Sequence, residues 1–245
     1  MTIFIVDLGE KTSRKEEKQM LKRPLLTFVV VAISCMLTIA VGFAAEKEYS
    51  GFLGNYDDLK PGPEGGVKER YLKPGVDFKK YNKIMLDSVV FFLADDAQYK
   101  GINAEEMKEL SDDFNKAAVK ALGEQYPLVG EPGPDVMRVR VAVTQLEPGK
   151  PGKSAMTTVL PVGLALGFLK KGATGSYPGV GKTGIEVEFL DSLTNERIGS
   201  AVDQQTGSKF SGMSKWGCAK EAFEFWAGRL KTFLDDAHGV APKAK

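Results

Sequence analysis

The chain has 245 residues, with 33 Lys and Arg against 32 Asp and Glu, one histidine and two cysteines. Residues 1–44 hold six of the basic and four of the acidic residues, so the remainder carries 27 against 28 and has no basic surplus for a phosphate backbone. One histidine and, beyond residue 44, one cysteine (Cys218) leave no ligand set for a metal centre and no internal disulfide.

In chain order, residues 1–19 are a mixed-charge preface with no part in export. Met20 opens an ordinary short basic start, MLKRPLLTFVVV, so residues 1–19 read as a gene-model extension. Residues 20–44 form a signal peptide or membrane anchor: Lys22 and Arg23 precede an uncharged run from Pro24 to Ala45. Gly42 and Ala44 supply the small-x-small pattern for a cut between Ala44 and Ala45. The apolar run of about 20 residues is also long enough to span a bilayer uncleaved. Ala32-Ile33-Ser34-Cys35 loosely matches a lipobox, which makes Cys35 a candidate for lipidation. Cleavage, anchoring and lipidation all place the rest of the chain in the periplasm or cell envelope.

Residues 45–83 are rich in Gly, Pro and Lys, with turns at Pro61-Gly62 and Pro74-Gly75, and predict an extended arm that packs through its aromatics. The near-continuous apolar run from Lys83 to Leu93 predicts a strand covered on both faces. Asn103 and Glu106 have capping-box spacing, and Met107, Leu110, Phe114, Ala117, Ala118, Ala121 and Leu122 recur at helical spacing up to Gly123. Met137 to Leu146 alternates, with Val139, Val141 and Val143 on one face and Arg138, Arg140 and Thr144 on the other. The insert at residues 149–182 is apolar and glycine-spaced between Thr157 and Leu169, too short to span a membrane. Ile185, Val187 and Phe189 alternate again, and Leu193 to Glu196 connect them to a strand at 197–203. The last element, Ser214 to Ala237, is an amphipathic helix with Ala219, Ala222, Phe223, Trp226, Leu230, Phe233 and Ala237 on one stripe; residues 238–245 read as a disordered tail.

The order β-α-β-insert-β-β-α predicts one α+β domain over 84–237, a two-layer sandwich with a mostly antiparallel sheet and two main helices packed on one face.

Motifs that carry chemistry are sparse. Gly179-Val180-Gly181-Lys182-Thr183 resembles the end of a phosphate loop, but position 176 is Ser and a strand pattern follows, so no nucleotide is expected. His238 lies 20 residues beyond Cys218 on one helix, about 30 Å away, which excludes a Cys–His pair. The acidic doublets 57–58, 95–96, 112–113 and 235–236 read as solvated or helix-end charge. Asp87, a carboxylate in an apolar strand, needs a partner, and Arg138 or Arg140 on a neighbouring strand supplies one. Trp216 and Trp226 read as core, with Trp216 the better placed to line a groove.

The segment SGFLGNYDDLKPGPEGGVKERYLKPGVDFKKYNKIMLDSV, residues 50–89, resembles the opening of the bacterial envelope family known as domain of unknown function 3313, whose members are designated lipoproteins. The similarity continues through YPLVGEPGPDVMRVRVAVTQLEP, VEFLDSLTNERIGSAVD and the Trp-containing last helix, over about residues 50–236. The resemblance implies an exported, envelope-associated domain and carries over no catalytic residue. The reading is a non-enzymatic binding module, without cofactor, nucleotide or nucleic acid, whose partner is an envelope protein, a second copy of itself or an envelope component. An oligomeric, membrane-associated assembly subunit using the insert is the alternative, and an enzyme centred on Asp87 a third.

Overall fold

The computed structural model describes residues 49–93, 101–150, 180–208 and 210–240, all within one compact unit, Tyr49–Lys245. The export segment with Cys35, Ala44 and Ala45, the pair Asp95-Asp96, most of the insert and the last five residues lie outside the described residues. Among the described residues, no helix is long and apolar enough to cross a membrane.

The elements follow as β1 (Lys60–Pro61), β2 (Glu69–Leu72), a 3-10 turn at Phe78–Lys80, β3 (Lys83–Leu86), β4 (Val90–Phe91) and α1 (Ala104–Leu122). Then come β5 (Val136–Glu147), β6 (Lys182–Asp191), β7 (Arg197–Thr206), a 3-10 turn at Ser211–Met213 and α2 (Gly217–His238). They build an α+β domain: a seven-stranded sheet in the order β1-β2-β7-β6-β5-β3, with β4 also on β5. All neighbours are antiparallel except β3 and β4, which run parallel to β5 after the crossover through α1.

Local chemistry sets the helix ends. Asn103 accepts from the Glu106 amide at 2.8 Å while Glu106 accepts from the Asn103 amide, a closed capping box. Gly123 ends α1 at φ +58°, a backbone that side chains disfavour. Gly239 does the same for α2 in the left-handed well. The helices meet through Phe114 and Phe223, edge to face at 5.3 Å.

The alternation in β5 puts Val139, Val141 and Val143 inward, opposite Phe189, Val187 and Ile185 of β6. A bulge between Val143 and Gln145 then shifts the period, so Leu146 instead of Gln145 is buried.

Two expectations change. The apolar run 83–93 is not covered on both faces: it is an outer strand, broken at residues 87–89 into β3 and β4, with Val90 and Phe92 exposed. Asp87, at the break, still donates its amide to the Val139 carbonyl and turns its carboxylate to an arginine on β5. The arm does more than pack by its aromatics. It adds β1 and β2 to the sheet, β2 pairing with β7 from Glu69↔Val202 to Leu72↔Gly199.

Candidate functional site

The two faces of this sheet hold different chemistry. On the face away from the helices, β5 presents Arg138 and Arg140, and β6 presents Glu186 and Glu188, with Arg140 directly opposite Glu188. The structure brings Asp87 and Arg138 together in a two-pronged pair, Nε to Oδ1 at 2.9 Å and Nη2 to Oδ2 at 2.8 Å. Arg140 donates to Glu188 at 2.6 Å, and its Nε lies 4.0 Å from Asp87. Arg197 on β7 closes the row by donating to the other Glu188 oxygen at 2.7 Å.

Residues 49–56 cover this row. Arg197 also donates to the Leu53 carbonyl at 2.5 Å, and Arg140 stacks over Phe52 at 5.3 Å. Glu186, 1% exposed, accepts from the Ser50 amide at 2.8 Å and from the Tyr56 hydroxyl at 2.7 Å. Burial, reinforced by that carboxylate, raises the pKa of Tyr56. Every carboxylate named in this row has a donor, so the row clamps the arm to the sheet.

Other sequence-selected residues are equally engaged. Cys218 is buried at the start of α2, and burial pushes its thiol up to about 11, away from the thiolate that nucleophilic chemistry needs. His238 points Nδ1 at the Leu234 carbonyl at 2.8 Å on the same helix. Asp112 pairs with Lys108, and Asp235 with Lys231 and the Tyr126 hydroxyl. Lys182 and Thr183 open β6, so a strand follows Gly181. Among the described residues no group of three side chains could hold a metal ion.

On the helix face the packing is incomplete. Ala201 of β7 lies opposite Val187 on the helix face, with a small side chain between β2 and β6. Beside it is an apolar cavity of about 210 Å³ between β6, β7, β2 and the helices. Its walls include Val187, Phe189, Ala201, Trp226, Leu230 and Phe233. Val187 and Phe189 sit mid-strand on the core face yet are only half-buried, as are Leu230 and Phe233 of the predicted helix stripe. Trp226, not Trp216, lines this space, its indole donating to Asp203 at 2.7 Å. Trp216 is buried against Glu106 at 3.0 Å.

The rim is polar. Arg70 of β2 and Arg229, Thr232 and Asp236 of α2 border the cavity, with Pro63, Gly66 and Val67 of the β1–β2 turn. Arg70 is opposite Ala201 in register and therefore on the helix face. Arg229 stacks on Phe225 at 5.3 Å. Neither guanidinium has a carboxylate or hydrogen-bond partner among the described residues.

A family model described as protein of unknown function (DUF3313) matches residues 48–230, about three quarters of the chain. This chain belongs to that family. The uncharacterized lipoprotein YdcL of Escherichia coli K12 is 27% identical to this DUF3313 chain over 216 residues, covering 86% of this chain and 92% of YdcL. The same lipoprotein of Escherichia coli O157:H7 matches equally. Among solved structures, the PelC dodecamer from Paraburkholderia phytofirmans covers 66% of this chain and 94% of its own at 12% identity and a TM-score of 0.38. The hypothetical protein CT253 from Chlamydia trachomatis covers 63% and 99% at 8% identity and 0.35.

Proposed function

We propose that this DUF3313 chain is an exported cell-envelope domain, attached to a membrane, that works as a non-enzymatic binding module with the sheet–helix cavity as its ligand site. The cavity carries the reading. Interiors pack at crystal-like density, and an open apolar cleft on the core face, bordered by half-buried Val, Phe and Leu, sacrifices stability that a ligand restores. Export rests on the basic start and apolar run of residues 20–44, and attachment on the lipoprotein YdcL, matched over nearly its whole length.

The test is native mass spectrometry of the full chain recovered from its envelope, beside an Ala227→Leu variant that fills the cavity wall. A bound small-molecule mass on the parent chain that the variant lacks is expected. Recovery of unprocessed chain from the cytosol would sink the export half. Identical ligand-free masses for both chains would sink the binding half.

A further inference from the structure

The rim and the walls of the cavity together define a ligand class. The walls are Val, Leu, Phe and Trp side chains, which bind methylene and aromatic carbon and cannot satisfy a buried polar group. Two guanidiniums, Arg70 from the sheet and Arg229 from α2, stand at the mouth on different elements, each without an ion-pair partner among the described residues. Arg229 is held in place by its stacking on Phe225 and by the turn, where its Nη2 would lie 3.2 Å from a side chain added at Gly65. One carboxylate, the exposed Asp236, borders the same cavity, so the mouth keeps a net positive charge.

An apolar shaft below a positive mouth is complementary to an apolar tail below a negative head. An engineered cavity of about 150 Å³ takes benzene, so a space of about 210 Å³ takes about eight carbons. We propose that this cavity binds one acyl chain of about that length that carries an anionic head group, with the chain between β7 and α2 and the head on Arg70 and Arg229. The proposal rests on the binding-module reading and adds the ligand's charge and shape. Arginine suits the role because its planar fork grips carboxylate and phosphate oxygens in pairs and stays charged at any physiological pH.

The experiment uses the full chain carrying Trp216→Phe in lipid nanodiscs, titrated with octanoate and with 1-octanol, and reads the emission of Trp226 in the cavity wall. Octanoate is expected to shift that emission saturably. Arg70→Gln combined with Arg229→Gln should raise the octanoate Kd at least about tenfold and leave the 1-octanol Kd in place. Ala227→Leu should abolish both responses while the circular dichroism of all variants stays that of the parent. Equal binding of the two ligands, unaffected by the Gln pair, would overturn the anionic head and leave the binding module standing. No response to either ligand would overturn both. Competition between octanoate and soluble dihexanoyl phosphatidylglycerol then assigns the head group, the tighter ligand naming a free acid or a phospholipid as the source.

Discussion

The two faces of one sheet solve opposite problems. The outer face carries the charges and is closed: Glu186 and Glu188 are buried beneath residues 49–56, each with its donors in place. The inner face carries the apolar residues and keeps a cavity beside the small side chains of Ala201 and Ala227. A stable domain with no ligand would be expected to reverse this, spending its close packing on the core and leaving charge to water. The contrast is what the binding-module proposal rests on.

The hardest test of the closed face is Glu188→Ala. It removes the carboxylate shared by Arg140 and Arg197 and leaves two guanidiniums under the arm, at a cost of about 3 kcal/mol in urea unfolding. Ala142, fully buried and opposite Glu186, lies on the same face, so Ala142→Leu should destabilise by about 2 kcal/mol through overpacking.

Asp191, at the end of β6, holds the β6–β7 turn. It accepts from Lys80 at 2.8 Å, Tyr81 at 2.9 Å and the Thr194 amide at 3.0 Å. The Lys80 bond, against the opposing effect of burial, holds its pKa well below the usual carboxylate range. A depressed carboxylate contributes stability that is fully present above the unfolded value of about 3.9 and lost as pH falls toward the folded value. Asp191→Asn should therefore cost about 2 kcal/mol at pH 7, and the gap to the parent should narrow as unfolding is measured from pH 5 down through pH 3.

The smallest expected effect has the opposite sign. Ala227→Leu, on the open face, should stabilise the ligand-free chain by about 1 kcal/mol because it fills empty space. The two Ala→Leu substitutions are thus a paired measurement. If both destabilise, the inner face is as closely packed as the outer one and the comparison collapses.

Periodicity made much of the fold legible. The strands β5, β6 and β7 and both helices stand where alternation and helical spacing put them, since each pattern is local. The Asp87–Arg138 pair was also readable, because a carboxylate inside an apolar run demands a partner. The burial of Glu186 and Glu188 was not. Glutamates alternating with Ile, Val and Phe are the mark of a solvated face, and only the arm, about 135 residues away in sequence, overrides it. The cavity escaped for a related reason. Leu230 and Phe233 carry the right spacing for core, and the cavity they border is shared with Ala201 of β7 and with β2, which no local pattern links to them.

That long reach has a consequence for the order in which the domain is made. β2 meets β7 across a gap typified by the 135 residues between Lys68 and Asp203, whose carboxylate accepts from the Lys68 amide. On a chain that emerges from its N-terminus, the first substantial strand waits for the last one before it can be zipped into the sheet. Arg70 rides on that waiting strand. The cavity mouth is therefore expected to assemble late and, in hydrogen exchange, to open early.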